Sequence, residues 1–596
     1  MSRAIFGVLL CALASGCGPA GDENTTGAGG ARSNSNSSSN PAAAPTTPAT
    51  EPAGFVSLRE RGSAAGIAFR HRSGAHGRRV MIEQMGGGVA LLDYDGDGRQ
   101  DLYFVDSGEV PERSDAQAAG GNKLYRNLGD WKFEDVTERA GVAGRGYMMG
   151  AVAGDYDRDG DVDLYVTAYG SNLLLQNQGD GTFRDVTAAA GCDDRRWSSG
   201  AAFVDYDSDG QLDLFVQNYL DFRVEEHRPY SMNGVDSYSP PDLFDPVACS
   251  LWRNRGDGTF EDVSARTGIA EHLGKGLGLL VSDLDRDGVS EIYCANDSTA
   301  NFLFRLGAEG RFEEIGLASG AGYGADGREE AGMGVDCGDL DGDGSLELVV
   351  TNFFKEPNSI YRNDGGLNFT EISERTGTAS AARKTLGFGV RLVDLDHDGV
   401  LDLVVNNGHV YDNAGQVDPP ATWAQPPLLF RGQGKARFED VLAKQPAEFR
   451  RARVGRGLAC GDLDDDGDQD LVLMALNGPA EVFENVGGER GAWLSVRCVG
   501  TRRDSTAIGA RVEVLAGDFA RSAQVRSGGS YLGQSELRVH FGLGARERVD
   551  LVRVHWPGGG VDEARDVAAR QHLVVVEGAG ASSSSNPSSG STPAQR

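Results

Sequence analysis

The stretch Leu91–Phe104, LLDYDGDGRQDLYF, places carboxylates at Asp93, Asp95, Asp97 and Asp101, with Gly98 between the third and the fourth. A hard divalent cation takes six to eight oxygens at about 2.3–2.6 Å, and carboxylates at loop positions 1, 3 and 5 converge on one point. The backbone carbonyl of Arg99 stands at position 7 and Asp101 at position 9. Gly98 permits the tight turn. Without a cation, four carboxylates this close repel one another strongly. The chemistry is therefore that of a calcium loop. The EF-hand alternative needs a Glu at position 12 and flanking helices. Position 12 here is Phe104, inside an apolar, β-prone run, which excludes it.

The pattern D-x-D-x-D-G-x-x-[DE] returns six times. The copies are Asp155, Asp157, Asp159, Asp163; Asp205, Asp207, Asp209, Asp213; and Asp283, Asp285, Asp287, Glu291. They continue with Asp339, Asp341, Asp343, Glu347; Asp394, Asp396, Asp398, Asp402; and Asp462, Asp464, Asp466, Asp470. Up to seven calcium ions are expected, one per loop. The copies start 62, 50, 78, 56, 55 and 68 residues apart, a period that signals blades or a solenoid.

The elements that must hold these loops are strands. In the first repeat Gly88–Leu92 enters the loop and Leu102–Val105 leaves it. Lys123–Arg126 and Lys132–Val136 follow, joined by the turn Asn127-Leu128-Gly129-Asp130. Asn177–Phe183 and Asn254–Phe260 repeat that turn almost unchanged. Four antiparallel strands per unit predict propeller blades. Asp221–Ala248 reads as a long loop inserted into the third blade. The seventh copy ends after its third strand, Ala480–Glu484, whereas Phe55–Leu58 resembles a spare fourth strand. That N-terminal strand is expected to complete blade seven and latch the ring. The fold class is all-β: a seven-bladed β-propeller with calcium loops over 55–486, then a small, sandwich-like all-β domain over 490–578. In this second region the acidic loops stop, apolar and polar residues alternate, and 13 Arg against 10 Asp plus Glu give a net charge of +3.

The chain has 596 residues and a net charge of −31, and the loops alone hold twenty-eight carboxylates. Bound cations would cancel much of that excess, so the total implies neither disorder nor a basic partner, and no nucleic acid is expected. Arg3, the apolar run Ala4–Ala14 and Leu13-Ala14-Ser15-Gly16-Cys17 resemble a bacterial lipoprotein signal over 1–17, with Cys17 acylated. The apolar run is too short to span a bilayer, so the membrane is reached through lipid alone. Gly18 after the cysteine favours, by analogy, an outer membrane or cell surface. Residues 18–54 form a Ser/Asn/Pro/Ala tether of 37 residues, reaching roughly 30–36 Å on average. Residues 579–596 read as a disordered Ser-rich tail. Cys192, Cys249, Cys294, Cys337, Cys460 and Cys498 show no metal-ligand spacing, and disulfides and buried thiols both stay open.

The loops and strands resemble the FG-GAP/VCBS repeats of calcium-loop propellers, related in plan to integrin α heads. Ala507–Val512, Gly529-Ser530-Tyr531-Leu532-Gly533-Gln534-Ser535, His540–Gly544 and Val554–Pro557 resemble the ASPIC/UnbV domain. Together the two resemblances point to bacterial members of the cartilage acidic protein family.

Function must be argued from sites rather than fold. The loops read as structural, each tying the first two strands of a blade. The second strand runs about 17 Å from its loop, so its far end lies on the opposite face. There stand Asp106, Asn218, Asn296, Asp297, Asn352, Asn407, His409 and Asn477. They are either a ligand ring around a central funnel or turn caps. No G-x-S-x-G, H-E-x-x-H or Cys/His constellation occurs, so catalysis is not expected. The expectation is a monomeric, surface-tethered recognition or adhesion module for a glycan or protein. The alternatives are a hydrolase or lyase acting on an extracellular polymer, and a structural subunit of an envelope complex.

Overall fold

A computed structural model describes residues 55–112, 121–487 and 491–583. The signal segment with Cys17 and the tether lie outside these residues. The described chain is all-β, with propeller-like sheets followed by a second all-β domain. Seven sheets make up the first part, each built on four antiparallel strands, six of them in chain order; the first gains a fifth, parallel strand, Gly533–Gln534. Their innermost strands are Val89–Leu92, Tyr147–Gly154, Ser198–Val204, Gly276–Ser282, Val335–Gly338, Gly387–Val393 and Gly455–Gly461. Each acidic loop joins the innermost strand to the second. Tyr147–Gly154 is buried at every position, because an inner strand is covered on both faces and so reads as a continuous apolar run. The seventh sheet is completed by Leu58–Glu60, which pairs antiparallel with Phe483–Asn485. The inserted segment of the third sheet carries its own hairpin, Tyr230–Met232 with Val235–Ser237.

Each inner strand packs against the next, and the seventh packs back on the first. A glycine sits five residues before the first Asp of every loop: Gly88, Gly150, Gly200, Gly278, Gly334, Gly389 and Gly457. The reason is steric. A Cβ on Gly334 would stand 2.1 Å from the Phe388 carbonyl oxygen, and one on Gly457 2.5 Å from that of Gly87. Backbone meets backbone there, and no side chain can be shed.

A second set of contacts ties neighbouring sheets at the loop end. The asparagine closing the third strand donates its amide to the position-2 carbonyl of the preceding sheet's loop. Asn177 reaches Tyr94 (2.8 Å), Asn254 reaches Tyr156 (2.8 Å), Asn363 reaches Leu284 (3.0 Å) and Asn485 reaches Leu395 (2.9 Å). Asn127 reaches Leu463 of the seventh sheet at 2.8 Å, which closes the circle.

The C-terminal region forms two four-stranded sheets. One orders Val539–Gly544, Ala492–Val499, Gln571–Val576 and Gly580–Ser583; the other Phe519–Gln524, Arg511–Ala516, Arg548–His555 and Val561–Ala568. The expectation of an unstructured tail from 579 needs correction over 580–583, and residues 584–596 lie outside the described residues. Gly580–Ser583 continues as an edge strand on Leu573–Val576, since the turn Glu577–Ala579 lets the short polar run add a ladder. The apolar core of this domain, with Val512, Val554 and Leu573, is continuous with Phe203 and Leu214 of the third sheet. The six described cysteines are buried free thiols.

Gly334→Ala is expected to lower unfolding stability by about 1–3 kcal/mol through overpacking against Phe388. A urea midpoint equal to that of the parent protein would show that the ring does not need this close approach.

Candidate functional site

The acid at loop position 9 is the best-defined part of each loop. In the first, Asp101 Oδ2 accepts from Tyr94 N (3.0 Å) and Oδ1 from Asn127 N (2.7 Å), so one carboxylate ties the loop's own turn to the third strand. Asp163 repeats this with Tyr156 N (3.2 Å) and Asn177 N (2.8 Å), and Asp470 with Leu463 N and Asn485 N, both at 2.9 Å. Asp213, Glu291, Glu347 and Asp402 likewise accept the position-2 amide. These acids are buried almost completely.

Positions 1 and 3 behave differently. One oxygen of Asp93, Asp155, Asp205, Asp283, Asp339 and Asp462 is buried without a hydrogen-bond partner, as is one of Asp95, Asp157, Asp396 and Asp464. Every loop contributes at least one such oxygen. A buried carboxylate oxygen with no donor is costly, and a cation supplies what the protein does not. Within the sets Asp93/Asp95/Asp101, Asp155/Asp157/Asp163, Asp205/Asp207/Asp213 and Asp283/Asp285/Glu291, ligand oxygens lie within 4.8 Å of one another. That is about the diameter of a calcium coordination sphere. The residues fit a hard cation. Asp97, Asp159, Asp209, Asp287, Asp343, Asp398 and Asp466 at position 5 stand more open, and the outer-strand arginines Arg126, Arg253 and Arg431 pair with some of the loop acids. Asp341 accepts from the amide of Asp343 (3.2 Å), and Asp394 from those of Asp398 (3.2 Å) and Gly399 (2.8 Å).

The C-terminal domain docks on this same loop face. Arg497 approaches Asp93 (3.7 Å), Ser505 N donates to Asp155 Oδ2 (3.0 Å), and Arg503 pairs with Asp205. Gln524 bonds both backbone groups of Asp283 (3.1 and 3.2 Å), Arg521 donates to the Gly399 carbonyl (3.0 Å), and Arg538 pairs with Asp465 (3.0 Å). Arginines that the sequence leaves available for an outside partner are thus spent on the chain's own loops.

The segment 527–536 enters the central channel. Inner strands are sheet edges whose backbone groups need partners, and this segment supplies them. Gly533–Gln534 pairs in parallel with Val89–Ala90, and Ser530 exchanges backbone bonds with Val335 (2.8 and 3.0 Å). Phe203 N, Ala153 N, Val390 N and Cys460 N donate to Ser527 Oγ, Gln534 Oε1, Ser530 Oγ and Ser535 Oγ at 3.0–3.2 Å. Tyr531 is fully buried edge-on to Phe388, ring centroids 4.7 Å apart. Nothing in the sequence pattern marks this motif as a plug.

At the opposite face, Asn218 bonds Ser198, Asp194 and the Ala248 carbonyl; Asn296 bonds the Ala300 carbonyl; Asn352 bonds Glu330 and Ser359; and Asn407 bonds the Pro426 carbonyl. Asn477 bonds Ser73, and Asp106 pairs with Arg72. Each side chain therefore serves its own sheet or its neighbour. His409 accepts from Tyr411 N (3.0 Å), and burial holds its imidazole down at about 4. Asp297 accepts from the Tyr219 hydroxyl at 2.6 Å. Asp297, Tyr219, Tyr411, Phe353 and Glu356 line a cavity of about 190 Å³.

Residues 93–166, 155–216, 283–350 and 339–405 match the FG-GAP-like repeat, and residues 500–582 match ASPIC and UnbV. The chain is an FG-GAP-repeat protein with a C-terminal ASPIC/UnbV domain. It is a homologue of cartilage acidic protein 1. The Xenopus tropicalis protein is 25% identical over 527 residues, covering 84% of this chain and 66% of that protein. The human protein is 28% identical over 341 residues, 56% of this chain and 48% of that one. The chain thus spans half to just under two thirds of the length of these relatives. Among solved structures, an Agrocybe aegerita lectin recognising non-reducing terminal N-acetylglucosamine aligns over 60% of this chain and 79% of its own (16% identity, TM-score 0.34). YCF48 bound to the D1 peptide aligns over 67% and 93% (9% identity, TM-score 0.36).

Burial pushes the loop acids up: Asp163 and Asp213 to about 9, and Glu291 and Glu347 to about 8. Backbone donors offset part of this, and neighbouring loop carboxylates add to it. Without a cation in the loops, the folded state therefore holds protons that the unfolded chain releases above roughly pH 4. Folded values above unfolded ones mean stability that is full below pH ~4 and lost as pH rises toward 8–9. Chelated protein should lose urea resistance steadily from pH 5 to 9. Greater stability of chelated protein at pH 8 than at pH 5 would contradict this.

Proposed function

We propose that the ring is a seven-bladed propeller whose loops each hold a calcium ion, and that the chain is an exported recognition module tethered through an acylated Cys17. The observation that carries the reading is the set of buried, donor-free oxygens at loop positions 1 and 3. When bound, calcium would neutralise them and fix the register of the first two strands of each blade. Asp93, Asp95, Asp97 and Asp101, and their equivalents in the other six loops, would be its ligands, with the position-9 acid also anchoring the backbone.

The division of faces supports recognition over chemistry. The ASPIC/UnbV domain occupies the loop face, so the far face is the one left to meet a partner. The cavity there combines Tyr219, Tyr411 and Phe353 with the carboxylates of Asp297 and Glu356, an aromatic wall with a few polar groups, as ligand sites have. Asn218, Asn296, Asn352, Asn407, His409 and Asn477 would shape its rim rather than touch the ligand. Among the described residues no helix is long and apolar enough to cross a membrane.

The test is capture of glycans on an array and of proteins from envelope extracts, in calcium and after chelation. Calcium-dependent capture that falls at least tenfold in Asp297→Asn and Tyr411→Ala, with melting temperatures unchanged, is the expected outcome. Capture indifferent to both substitutions would remove the far face from the account.

A further inference from the structure

A second cavity, of about 150 Å³, lies between the fifth, sixth and seventh loops and the C-terminal domain, and it is lined by Arg391, Arg521, Arg526 and Arg538. Their charges are unevenly matched. Arg538 is satisfied, pairing with both Glu536 and Asp465. Two of the others, Arg391 and Arg526, share one carboxylate. Asp336, fully buried, takes Arg526 Nη2 at 3.0 Å and has Arg391 Nη1 at 3.5 Å. It already accepts Leu392 N (2.8 Å) and Cys337 N (2.9 Å). Arg391 Nε is buried without a hydrogen-bond partner. Arg521 makes no ion pair among the described residues; it donates to the Gly399 carbonyl (3.0 Å) and lies over the Phe519 ring.

A guanidinium does not give up its proton in a protein, and an uncompensated one withdrawn into a cleft is unfavourable. Asp339 and Asp394 also border the cavity, but they are first positions of metal loops. The excess of two positive charges rests, to that extent, on the calcium reading. We propose that this cavity binds a small tetrahedral dianion, sulfate or phosphate, held by Arg391, Arg521 and Arg526 and bridging the ring to the ASPIC/UnbV domain. Planar, fork-shaped donors suit oxyanions. The volume admits one such ion together with part of its hydration water. Ser282 and Ser535 add hydroxyls to the lining.

The measurement is calorimetric titration of sodium sulfate, and separately of sodium phosphate, into the calcium-loaded, desalted full chain at constant ionic strength. The calcium content is assayed on the same sample. Low millimolar anion avoids the general stabilisation that concentrated sulfate gives any fold. Saturable uptake of one ion per chain is expected. It should persist in Arg565→Gln, an exposed arginine elsewhere in the domain, and weaken at least tenfold in Arg391→Gln and in Arg521→Gln. Arg521→Gln removes no ion pair, so it serves should Arg391→Gln fail to fold. No saturable uptake by the parent protein overturns the inference whatever its calcium content, as does uptake unaffected by Arg521→Gln. Uptake with little calcium bound would uphold the anion site and count against the calcium reading of the loops.

Discussion

The structure turns on carboxylates that are taken out of water at the corner of every sheet. A buried carboxylate needs donors or a cation. Here the position-9 acids receive backbone amides, and at positions 1 and 3 every loop keeps at least one buried oxygen without a donor. This division lets one loop do two jobs. Its anchoring acid fixes backbone geometry, and the remaining oxygens are held at the spacing a hard cation prefers. In five of the seven sheets an asparagine donates its side-chain amide to the position-2 carbonyl of the preceding loop, which ties neighbouring sheets together.

The ASPIC/UnbV domain completes the ring rather than hanging from it. It places arginines against loop acids and threads residues 527–536 into the channel, where inner strand edges would otherwise face water. Its apolar core runs without interruption into the third sheet. A cation bound at Asp205 or Asp462 would change the charge that Arg503 and Arg538 meet, and so couple loop state to domain docking. The face opposite stays uncovered by this domain and carries the aromatic and acidic cavity around Asp297.

Much of this is legible in the chain, for a physical reason. Metal-loop chemistry depends on residues a few positions apart, so the seven acidic repeats announce both the loops and the strand pairs beside them. The spare strand before the first repeat is readable because the seventh lacks its fourth strand, and Leu58–Glu60 occupies that place. What escapes the eye depends on partners distant in sequence. The glycine five residues before each loop looks like ordinary strand punctuation until Phe388 O is seen 2.1 Å from a Cβ on Gly334. Its sevenfold recurrence at fixed spacing is the signal that finds it. Gly529–Ser535 reads only as a family motif, because its partners at Val89, Val335 and Cys460 belong to three different sheets. Asn218, Asn296 and Asn352 sit where a ligand ring would be, and only their hydrogen bonds show each to be engaged within the fold.

The central claim is that the donor-free loop oxygens exist for metal. Its most direct test is the calcium bound per chain, measured by elemental analysis after dialysis of the purified protein in low micromolar calcium. The account requires a stoichiometry near seven that chelation abolishes together with most of the thermal stability. A well-folded protein carrying almost no calcium, and melting at the same temperature with and without chelator, would contradict it.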